Sequence, residues 1–455
     1  MTTSPVRPAG ALASLRALVL AALAPMALAA QVPSAPQAQL AGQPARQITL
    51  DEAVRLAQRN SPTTVQSAGN IRTAAAAAGS AWSAFLPSLS VNTGVTQNTG
   101  SRFDPQRDEI IEATTSWQYS NGYSAQMLLF DGGDRIFQLR QARQNVNAAQ
   151  AGDIAQRYTV RLNVAQQYYN VLAARETQAA AQAQLDQAEQ QLRVSSARVA
   201  AGAATRSDSL RAIIQVGNAR LALLQAINAL NSANAALTRL VATPFLVTAI
   251  PSDTLTEYAP LPDSAALVRW AAAGPAVNQA TAQLRAARSG ERSAWTSYLP
   301  TVGLRYDRGG NGSTPNFDLS PDQVVYANRL SIGLSFPIFN NWQREEARVR
   351  ADVAEDIAEA QQRDALLLAQ QTLVQNLGTL RTAQERVTIQ LASVAAAEED
   401  LRVQQQRYAL GASTQLDVLT SQTQLGQARA QLIQARYDLR VARASIEALI
   451  GRPLP

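Results

Sequence analysis

The chain has 455 residues, enough for two or three ordinary domains, and it contains no histidine and no cysteine. All 40 of its basic residues are arginine, and the formal net charge is +6. The arginines are interleaved with Glu, Asp and Gln instead of being clustered. This composition excludes disulfides and thiolate chemistry, removes the usual general base and the commonest metal ligand, and argues against a nucleic-acid surface. We therefore predict no cofactor, no metal site, no nucleic-acid partner and no enzymatic activity.

Residues 1–30 have the pattern of a secretory signal peptide. Arg7 and Arg16 give it a positive start, a short apolar run follows, and the small residues at 27–29 form a cleavage signal. The apolar run is too short to span a bilayer. The mature chain is expected to begin at Ala30 or Gln31, with a net charge of +4 once the two arginines are lost (6 − 2).

The mature chain repeats one plan twice. The segment "SAWSAFLPS" at 80–88 returns as "SAWTSYLPT" at 293–301, an offset of 213 residues (293 − 80). The segment "RVAAGAATRSDSL" at 198–210 returns as "RYALGASTQLDVL" at 407–419, an offset of 209 residues (407 − 198). The two copies keep the same alignment throughout, except that one loop of the second copy is four residues shorter. This pattern indicates a tandem duplication.

Each copy is predicted to contain a helical stretch, two strands and a long helical hairpin, in that order. The first helical stretch runs from Leu50 to Phe85, and a proline then starts the extended segments. We place the first structural repeat at 31–240 and the second at 263–455. The linker between them, 241–262, carries four prolines and cannot be one continuous helix.

Four extended segments alternate apolar with small polar residues at a period of two. The clearest places Leu330, Ile332 and Leu334 on one face, with serine and glycine on the other. Strands of roughly ten residues with this pattern suit a barrel wall between lipid and water, and the neighbouring Trp and Tyr residues suit its interfacial belts. Two soluble hairpins packed on a core are the alternative. If the strands do lie in a membrane, four of them leave two unpaired edges, so several chains must associate.

The remainder of each copy is predicted to be a helical hairpin. The outgoing helices, 133–202 and 341–411, would each be about 100 Å long at a rise of ~1.5 Å per residue. Gly202 and Gly411 suit the left-handed cap at their ends. Each returning helix is predicted to start with a capping box, formed by Thr205 with Asp208 and by Thr414 with Asp417.

In this order, and in duplicate behind a signal peptide, the motifs resemble the TolC family of outer-membrane efflux proteins. The matching segments are "ITLDEAVRLAQRNSP" at 48–62, "LPSLSV" at 86–91, "LLFDGGDR" at 128–135, and both Arg-x-x-x-Gly turns with the Asp that follows. The resemblance implies a membrane α+β fold. In it, each tandem-repeat protomer gives four strands to a trimeric twelve-stranded transmembrane β-barrel, and long coiled-coil helices to a periplasmic α-helical barrel. The linker would lie in an equatorial collar around that tunnel.

The same resemblance implies the function. The protein would be the outer-membrane channel-tunnel of a tripartite efflux system, a passive export duct that docks to a periplasmic adaptor and an inner-membrane pump. It would lie in the lipid of the bacterial outer membrane, with its tunnel extending into the periplasm. The outer-membrane duct of a type I protein secretion system remains an alternative. A periplasmic coiled-coil adaptor fits less well, because an adaptor normally needs one hairpin and flanking β domains.

The resemblance also assigns roles to residues of the repeated turns. It gives docking of the adaptor to four tip residues: Arg198, Gly202, Arg407 and Gly411. It gives Asp208 and Tyr408 to ties between neighbouring helices in the closed periplasmic gate, and Asp417 to a carboxylate ring at the constriction. Three symmetry-related aspartates in a narrow pore would favour cations. The chain departs from the family pattern where Ser413 replaces an arginine of the gate and Thr420 replaces a second acidic ring.

Overall fold

The structure is a computed structural model, and it describes residues 45–100, 102–106, 108–111, 116–202, 204–250, 262–318 and 324–454. The predicted signal peptide and residues 251–261 of the predicted linker lie outside these ranges. Within them, the helices in chain order are α1 (Leu50–Asn60), α2 (Pro62–Ser83), α3 (Asp134–Ala200), α4 (Arg206–Val241), α5 (Ser264–Ala272), α6 (Pro275–Thr296), α7 (Gln343–Ala409) and α8 (Gln415–Ile450).

The strands in the same ranges form three sheets. They are β1 (Arg46–Ile48), β2 (Ser88–Asn98), β3 (Arg102–Asp104), β4 (Glu109–Ile111), β5 (Ser116–Phe130), β6 (Val247–Ala249), β7 (Thr301–Thr314) and β8 (Val325–Ser335). The main sheet is antiparallel with the order β2-β5-β7-β8, while β3 pairs with β4, and β1 pairs in parallel with β6. The two hairpins of the main sheet therefore meet through β5 and β7, where Tyr123 lies opposite Arg308.

The main sheet keeps the predicted alternation, and its apolar face is open. Leu330, Ile332 and Leu334 on β8 are 68%, 70% and 71% exposed, and Val91 on the opposite edge strand is 84% exposed. No described helix covers this face, so the alternative of soluble hairpins packed on a core is not supported. Strands β2 and β8 are the edges, and neither has an outer partner strand in the described part of the chain.

Helices α3 and α4 form one long hairpin, and α7 and α8 form the other; these two hairpins are called the rods. Helices α3 and α7 have 67 residues each, and α4 and α8 have 36 each. At ~1.5 Å per residue the longer helices extend about 100 Å. Buried alanines at a spacing of seven allow α4 to pack closely against α3; they are Ala212, Ala219, Ala226 and Ala233. In α3, Ala181, Ala188 and Ser195 are buried at the same spacing.

The predicted helical stretch from Leu50 to Phe85 consists of two helices, α1 and α2. The chain breaks at Ser61, whose extended backbone (φ −61°, ψ 134°) ends α1, and Pro62 then occupies the first turn of α2. Proline disfavours a helical conformation in the residue before it, and its missing N–H costs nothing at a helix start. Helices α5 and α6 are separated by the same device, with Pro275 in the first turn of α6.

The largest buried cluster lies where the short parallel pair β1–β6 meets α1, α3 and α4. Tyr168 is fully buried there, and its hydroxyl lies 3.2 Å from the carbonyl oxygen of Ile48 and 3.2 Å from the backbone nitrogen of Ile250. The hydroxyl can donate to the carbonyl and accept from the N–H. One tyrosine of α3 thus joins the backbone before α1 to the backbone just after β6.

The junction between the main sheet and the first rod, where β5 is followed by α3, contains a buried ion pair. Asp131 accepts hydrogen bonds from the backbone N–H of Gly133 (3.0 Å) and from Nε of Arg135 (2.7 Å). The Arg135 guanidinium also lies over the Phe85 ring, 5.0 Å from its centroid. The second copy repeats this contact, with Arg344 lying 4.9 Å from the centroid of Tyr298.

Candidate functional site at the hairpin tips

Both repeated turns form the predicted left-handed caps. Gly202 has φ +74° and Gly411 has φ +79°. At the second tip, the Gly411 N–H donates to the carbonyl of Tyr408 (3.1 Å) and the Ala412 N–H donates to the carbonyl of Arg407 (2.8 Å). These two bonds constitute a Schellman motif, which satisfies the last carbonyls of α7. The prediction of glycine caps is therefore confirmed.

The predicted capping boxes are also confirmed. The Asp417 carboxylate accepts from the N–H and the hydroxyl of Thr414, both at 2.8 Å, and it lies 3.0 Å from the hydroxyl oxygen of Ser413. Asp208 accepts from the N–H (3.1 Å) and the hydroxyl (2.8 Å) of Thr205. Each aspartate therefore opens a returning helix, where its negative charge also suits the helix dipole.

The same hydrogen bonds lower the pKa of both carboxyls. The backbone N–H and hydroxyl of Thr414 hold the pKa of Asp417 below its ordinary value, with help from Ser413. The hydroxyl and then the backbone N–H of Thr205 lower the pKa of Asp208. Because hydrogen bonding to the charged form favours it, both side chains carry a full negative charge at neutral pH.

The two tips contact each other through Arg198 and Tyr408. The guanidinium carbon of Arg198, in the last turn of α3, lies 4.9 Å from the centroid of the Tyr408 ring, in the last turn of α7. Tyr408 is half-buried and packs against a small cluster formed by Leu401, Val418 and Leu425. A cation over an aromatic face is attracted by the ring quadrupole. The resemblance relates Arg198 to docking and Tyr408 to the gate, and in the structure the two side chains are in contact.

The other residues that the resemblance relates to the gate, including the two departures Ser413 and Thr420, make contacts within their own tip. In the described part of the chain, Asp208 is held by its own cap and no hydrogen bond joins it to Tyr408. The Ser413 hydroxyl lies 3.1 Å from Oε1 of Gln404 and 3.0 Å from the Asp417 carboxylate, so it supports the turn. The Thr420 hydroxyl donates to the carbonyl of Leu416 (2.9 Å), within its own helix.

The docking candidates lie on an open surface. A Cβ placed on Gly202 or Gly411 would have no heavy atom within 4 Å. The Arg407 side chain is exposed and lies 3.5 Å from the carbonyl of Ala412. Sequence reasoning missed Leu410, which is 85% exposed immediately before Gly411. Its place next to the cap glycine was the available signal, because a cap at a hairpin end points into solvent.

Sequence reasoning also missed Gln415. It lies in the first turn of α8, yet it is buried, and its Nε2 lies 3.5 Å from the hydroxyl of buried Ser195 on α3. The two copies are therefore joined just above the tips by a polar contact as well as by Arg198 and Tyr408. No periodic pattern marked this glutamine, because its partner lies 220 residues away in sequence.

Long paired helices, a sheet with open edges and an open apolar face, and capped tips are features expected of one subunit of a membrane channel. The family profile described as "Outer membrane efflux protein" matches residues 53–243 and 267–452. The chain therefore belongs to the outer membrane efflux protein family, which is a family of channels and not of enzymes. The resemblance inferred from the sequence is confirmed, and the protein is an outer-membrane efflux channel located in the bacterial outer membrane.

Individual relatives support the same family. The chain is 27% identical over 417 residues to the pyoverdine export outer membrane protein OpmQ of Pseudomonas aeruginosa, spanning 88% of this chain and 83% of OpmQ. It is 25% identical to the outer membrane efflux protein BepC of Brucella suis, spanning 73% of this chain and 72% of BepC. The fold is shared with the CmeC outer membrane channel of Campylobacter jejuni, at a TM-score of 0.75 and 18% identity, over 88% of this chain and 85% of that one.

None of the described helices is both long enough and apolar enough to be a candidate membrane span.

Proposed function

We propose that the protein is a homotrimer in which each chain gives four strands to one twelve-stranded transmembrane β-barrel. The observation that carries this proposal is the pair of open edges. Strands β2 and β8 have 11 residues each, and each is paired on one side only in the described chain. An unpaired backbone N–H or C=O in hydrocarbon costs several kcal/mol, so β8 of one copy must pair with β2 of the next.

The long helices support the same assembly. Several large apolar side chains of α4 and α7 are more than half exposed in the single chain; among them are Leu210, Ile213, Ile214, Leu221, Leu224, Leu367, Leu368 and Val374. Exposed apolar residues on this scale are typical of surfaces that meet another chain. In the trimer, neighbouring rods would cover them and form a periplasmic α-helical barrel. The repeats at 31–240 and 263–455 would each supply one hairpin, and the linker at 241–262 would lie in an equatorial collar.

The tunnel would act as a passive duct without chemistry of its own. It would receive cargo from an inner-membrane pump through a periplasmic adaptor, as one part of a tripartite efflux system. The docking surface would consist of the exposed turns at the two tips, with Arg198, Gly202, Arg407 and Gly411. The left-handed glycines support this role because they leave the backbone open to a close approach.

The tips would also form the closed entrance. Tyr408 and Asp208 would hold neighbouring helices together, and the Arg198–Tyr408 contact supports this because it already joins the two hairpins of one chain. Asp417 would supply one carboxylate to a ring at the constriction. Its lowered pKa and its exposure support a charged group facing water.

Complementation of a deletion strain tests the proposed function. We expect deletion to increase susceptibility to small toxic compounds, and the wild-type gene to restore resistance. Gly411→Trp should fail to restore resistance and should not retain the adaptor in a pulldown, because the indole would stand in the open docking surface. Gly411→Asn is the matched control, since asparagine tolerates the left-handed conformation that φ +79° requires.

Two results would count against this proposal. Adaptor retention by Gly411→Trp at the wild-type level would contradict the docking assignment. Unchanged susceptibility after deletion, together with the loss of a secreted protein from the medium, would favour the type I secretion alternative over efflux.

A further inference from the structure

One arginine lies on the apolar face of the main sheet. The register places Arg308 of β7 opposite Tyr123 of β5 and Asn328 of β8, so these three residues share one row of one face. The neighbouring row on the side of the rods contains Tyr306 and Leu330. Arg308 is exposed, and in the described part of the chain it takes part in no salt bridge.

The Arg308 side chain is held between two tyrosines. Its guanidinium carbon lies 5.9 Å from the ring centroid of Tyr123 and 5.4 Å from that of Tyr326, and one terminal nitrogen lies 3.4 Å from the Tyr123 hydroxyl. Gly310 makes this arrangement possible, because a Cβ there would lie 2.6 Å from the Tyr326 ring and 2.5 Å from the side-chain oxygen of Asn121. The Asn121 amide in turn lies 3.4 Å from the Tyr326 hydroxyl.

The arginine row marks one border of the apolar band. From Arg308 toward the rods, the outward positions of β7 and β8 are Tyr306, Leu304, Val302, Leu330, Ile332 and Leu334. In the other direction, the next row contains Asn121, Gly310 and Tyr326. An arginine facing lipid costs about 2–4 kcal/mol at the middle of a bilayer but only ~0–1 kcal/mol near the interface. The row of Arg308 therefore belongs at the headgroup level farthest from the rods, which is the outer leaflet.

We propose that Arg308, held between Tyr123 and Tyr326, binds the phosphate of an anionic lipid in the outer leaflet. This inference rests on the proposed placement of the sheet in the membrane. A guanidinium presents a planar fork of donors that fits two phosphate oxygens, and the tyrosine hydroxyls beside it are further donors. The apolar rows below Arg308 would lie along the acyl chains of the same lipid.

The opposite face of the sheet shows what distinguishes Arg308. Arg305 lies on that face and forms a 2.8 Å ion pair with Asp307, whereas Arg308 is neutralised by no carboxylate among the described residues. Arg329 lies opposite Asp307 on the same polar face, one residue from Asn328 in sequence. Arg329→Gln is therefore a control that removes the same charge at the same height from the face turned away from lipid.

Native mass spectrometry of the assembled channel, released from phosphatidylcholine nanodiscs that contain lipid A, tests the site. We expect the wild type and Arg329→Gln to retain lipid A, and Arg308→Gln to retain about ten-fold less, the effect of one charged hydrogen-bonded contact. Arg308→Lys should retain an intermediate amount, because the charge remains but the fork is lost. Dephosphorylated lipid A should bind to the wild type as weakly as lipid A binds to Arg308→Gln.

Equal retention of lipid A by wild type and Arg308→Gln would overturn the proposal, as would equal retention of the dephosphorylated lipid by the wild type. Complete displacement of lipid A by inorganic phosphate would also overturn it, because the site would then recognise a free anion. The mass of the assembly is read in the same spectra. A trimer without any dependence on Arg308 contradicts the lipid site alone, whereas a chain that never assembles contradicts the proposed function.

Discussion

The guanidinium carbon of Arg198 lies 4.9 Å from the ring centroid of Tyr408, so the outgoing helices of the two hairpins touch in their last turns. The two residues come from different copies of the duplicated plan. Tyr408 in the second copy corresponds to Val199 in the first copy (408 − 209). Of these two residues, only the tyrosine has an aromatic face that attracts a cation. The contact therefore depends on a position at which the two copies differ, and it joins the two tips.

Removing the Tyr408 ring should weaken the closed entrance. A partly exposed cation–π pair contributes about 0.5–1 kcal/mol. Its loss in one subunit therefore shifts the equilibrium between the closed and open entrance toward the open state by about two- to five-fold per subunit. We expect Tyr408→Leu to increase single-channel conductance or open time in planar bilayers. Tyr408→Phe is the control because it keeps the ring. Equal effects of the two substitutions would attribute the closed state to the hydroxyl instead.

Charge at Asp417 should control how cations interact with the entrance. Three aspartates facing one pore would bind multivalent cations and reduce the current from the periplasmic side. We expect Asp417→Asn to weaken this block strongly in bilayer recordings with added divalent or trivalent cations. Asp417→Glu keeps the charge and provides the preferred capping-box residue, so it should retain the block. Block that persists unchanged in Asp417→Asn would show that the carboxylate lies away from the constriction.

The pH dependence of the tips follows from the lowered pKa values of Asp208 and Asp417. A carboxyl whose pKa is lower in the folded state than in the unfolded state stabilises the folded state. This stabilisation is fully present at pH values above the unfolded-state pKa, which is about 3.9 for Asp. The contribution is lost as the pH falls through the folded pKa. We therefore expect cation block and the closed state to be constant from neutral pH down to about pH 4, and to weaken only below it. A midpoint near pH 6 in the conductance profile would contradict this expectation.

The ion pair at the junction of sheet and rod should matter for stability. The Asp131 and Arg135 side chains are only 9% and 12% exposed. Although burial alone would raise the pKa of Asp131, the hydrogen bonds from Arg135 and Gly133 outweigh it and lower the pKa. We expect Asp131→Asn to destabilise each subunit by about 2–3 kcal/mol, because it leaves the Arg135 guanidinium buried without its anion.

The midpoint of heat-induced dissociation of the assembled channel measures this effect. Asn340→Ala at the equivalent junction of the second copy is the matched control. Its Oδ1 is buried without a hydrogen-bond partner in the described chain, so its loss should lower the midpoint less. A smaller decrease for Asp131→Asn than for Asn340→Ala would show that the ion pair does not hold the junction.

Features set by neighbouring residues could be predicted from the sequence. The alternation on β8, the left-handed glycines Gly202 and Gly411, and the capping boxes depend on contacts within a few residues, and the structure confirms them. The break at Ser61 could also have been predicted, because Pro62 disfavours a helical residue before it.

Contacts between the copies could not be predicted in this way. Arg198 lies 210 residues before Tyr408 (408 − 198), and their contact depends on how α3 and α7 lie against α8. The row shared by Tyr123 and Arg308 depends on the register between β5 and β7, which belong to different repeats. A one-residue slip would move Arg308 to the opposite face of the sheet. Alternation within one strand says which residues share a face, but not which residues lie opposite each other.

Single-particle electron microscopy of the mature protein in mild detergent tests the central claim most directly. We expect a particle with three-fold symmetry, in which β8 of each copy pairs with β2 of the next to close the barrel, and a helical tube about 100 Å long extends from it. A soluble monomer, or a particle in which the edges of β2 and β8 remain unpaired, would contradict the assembly.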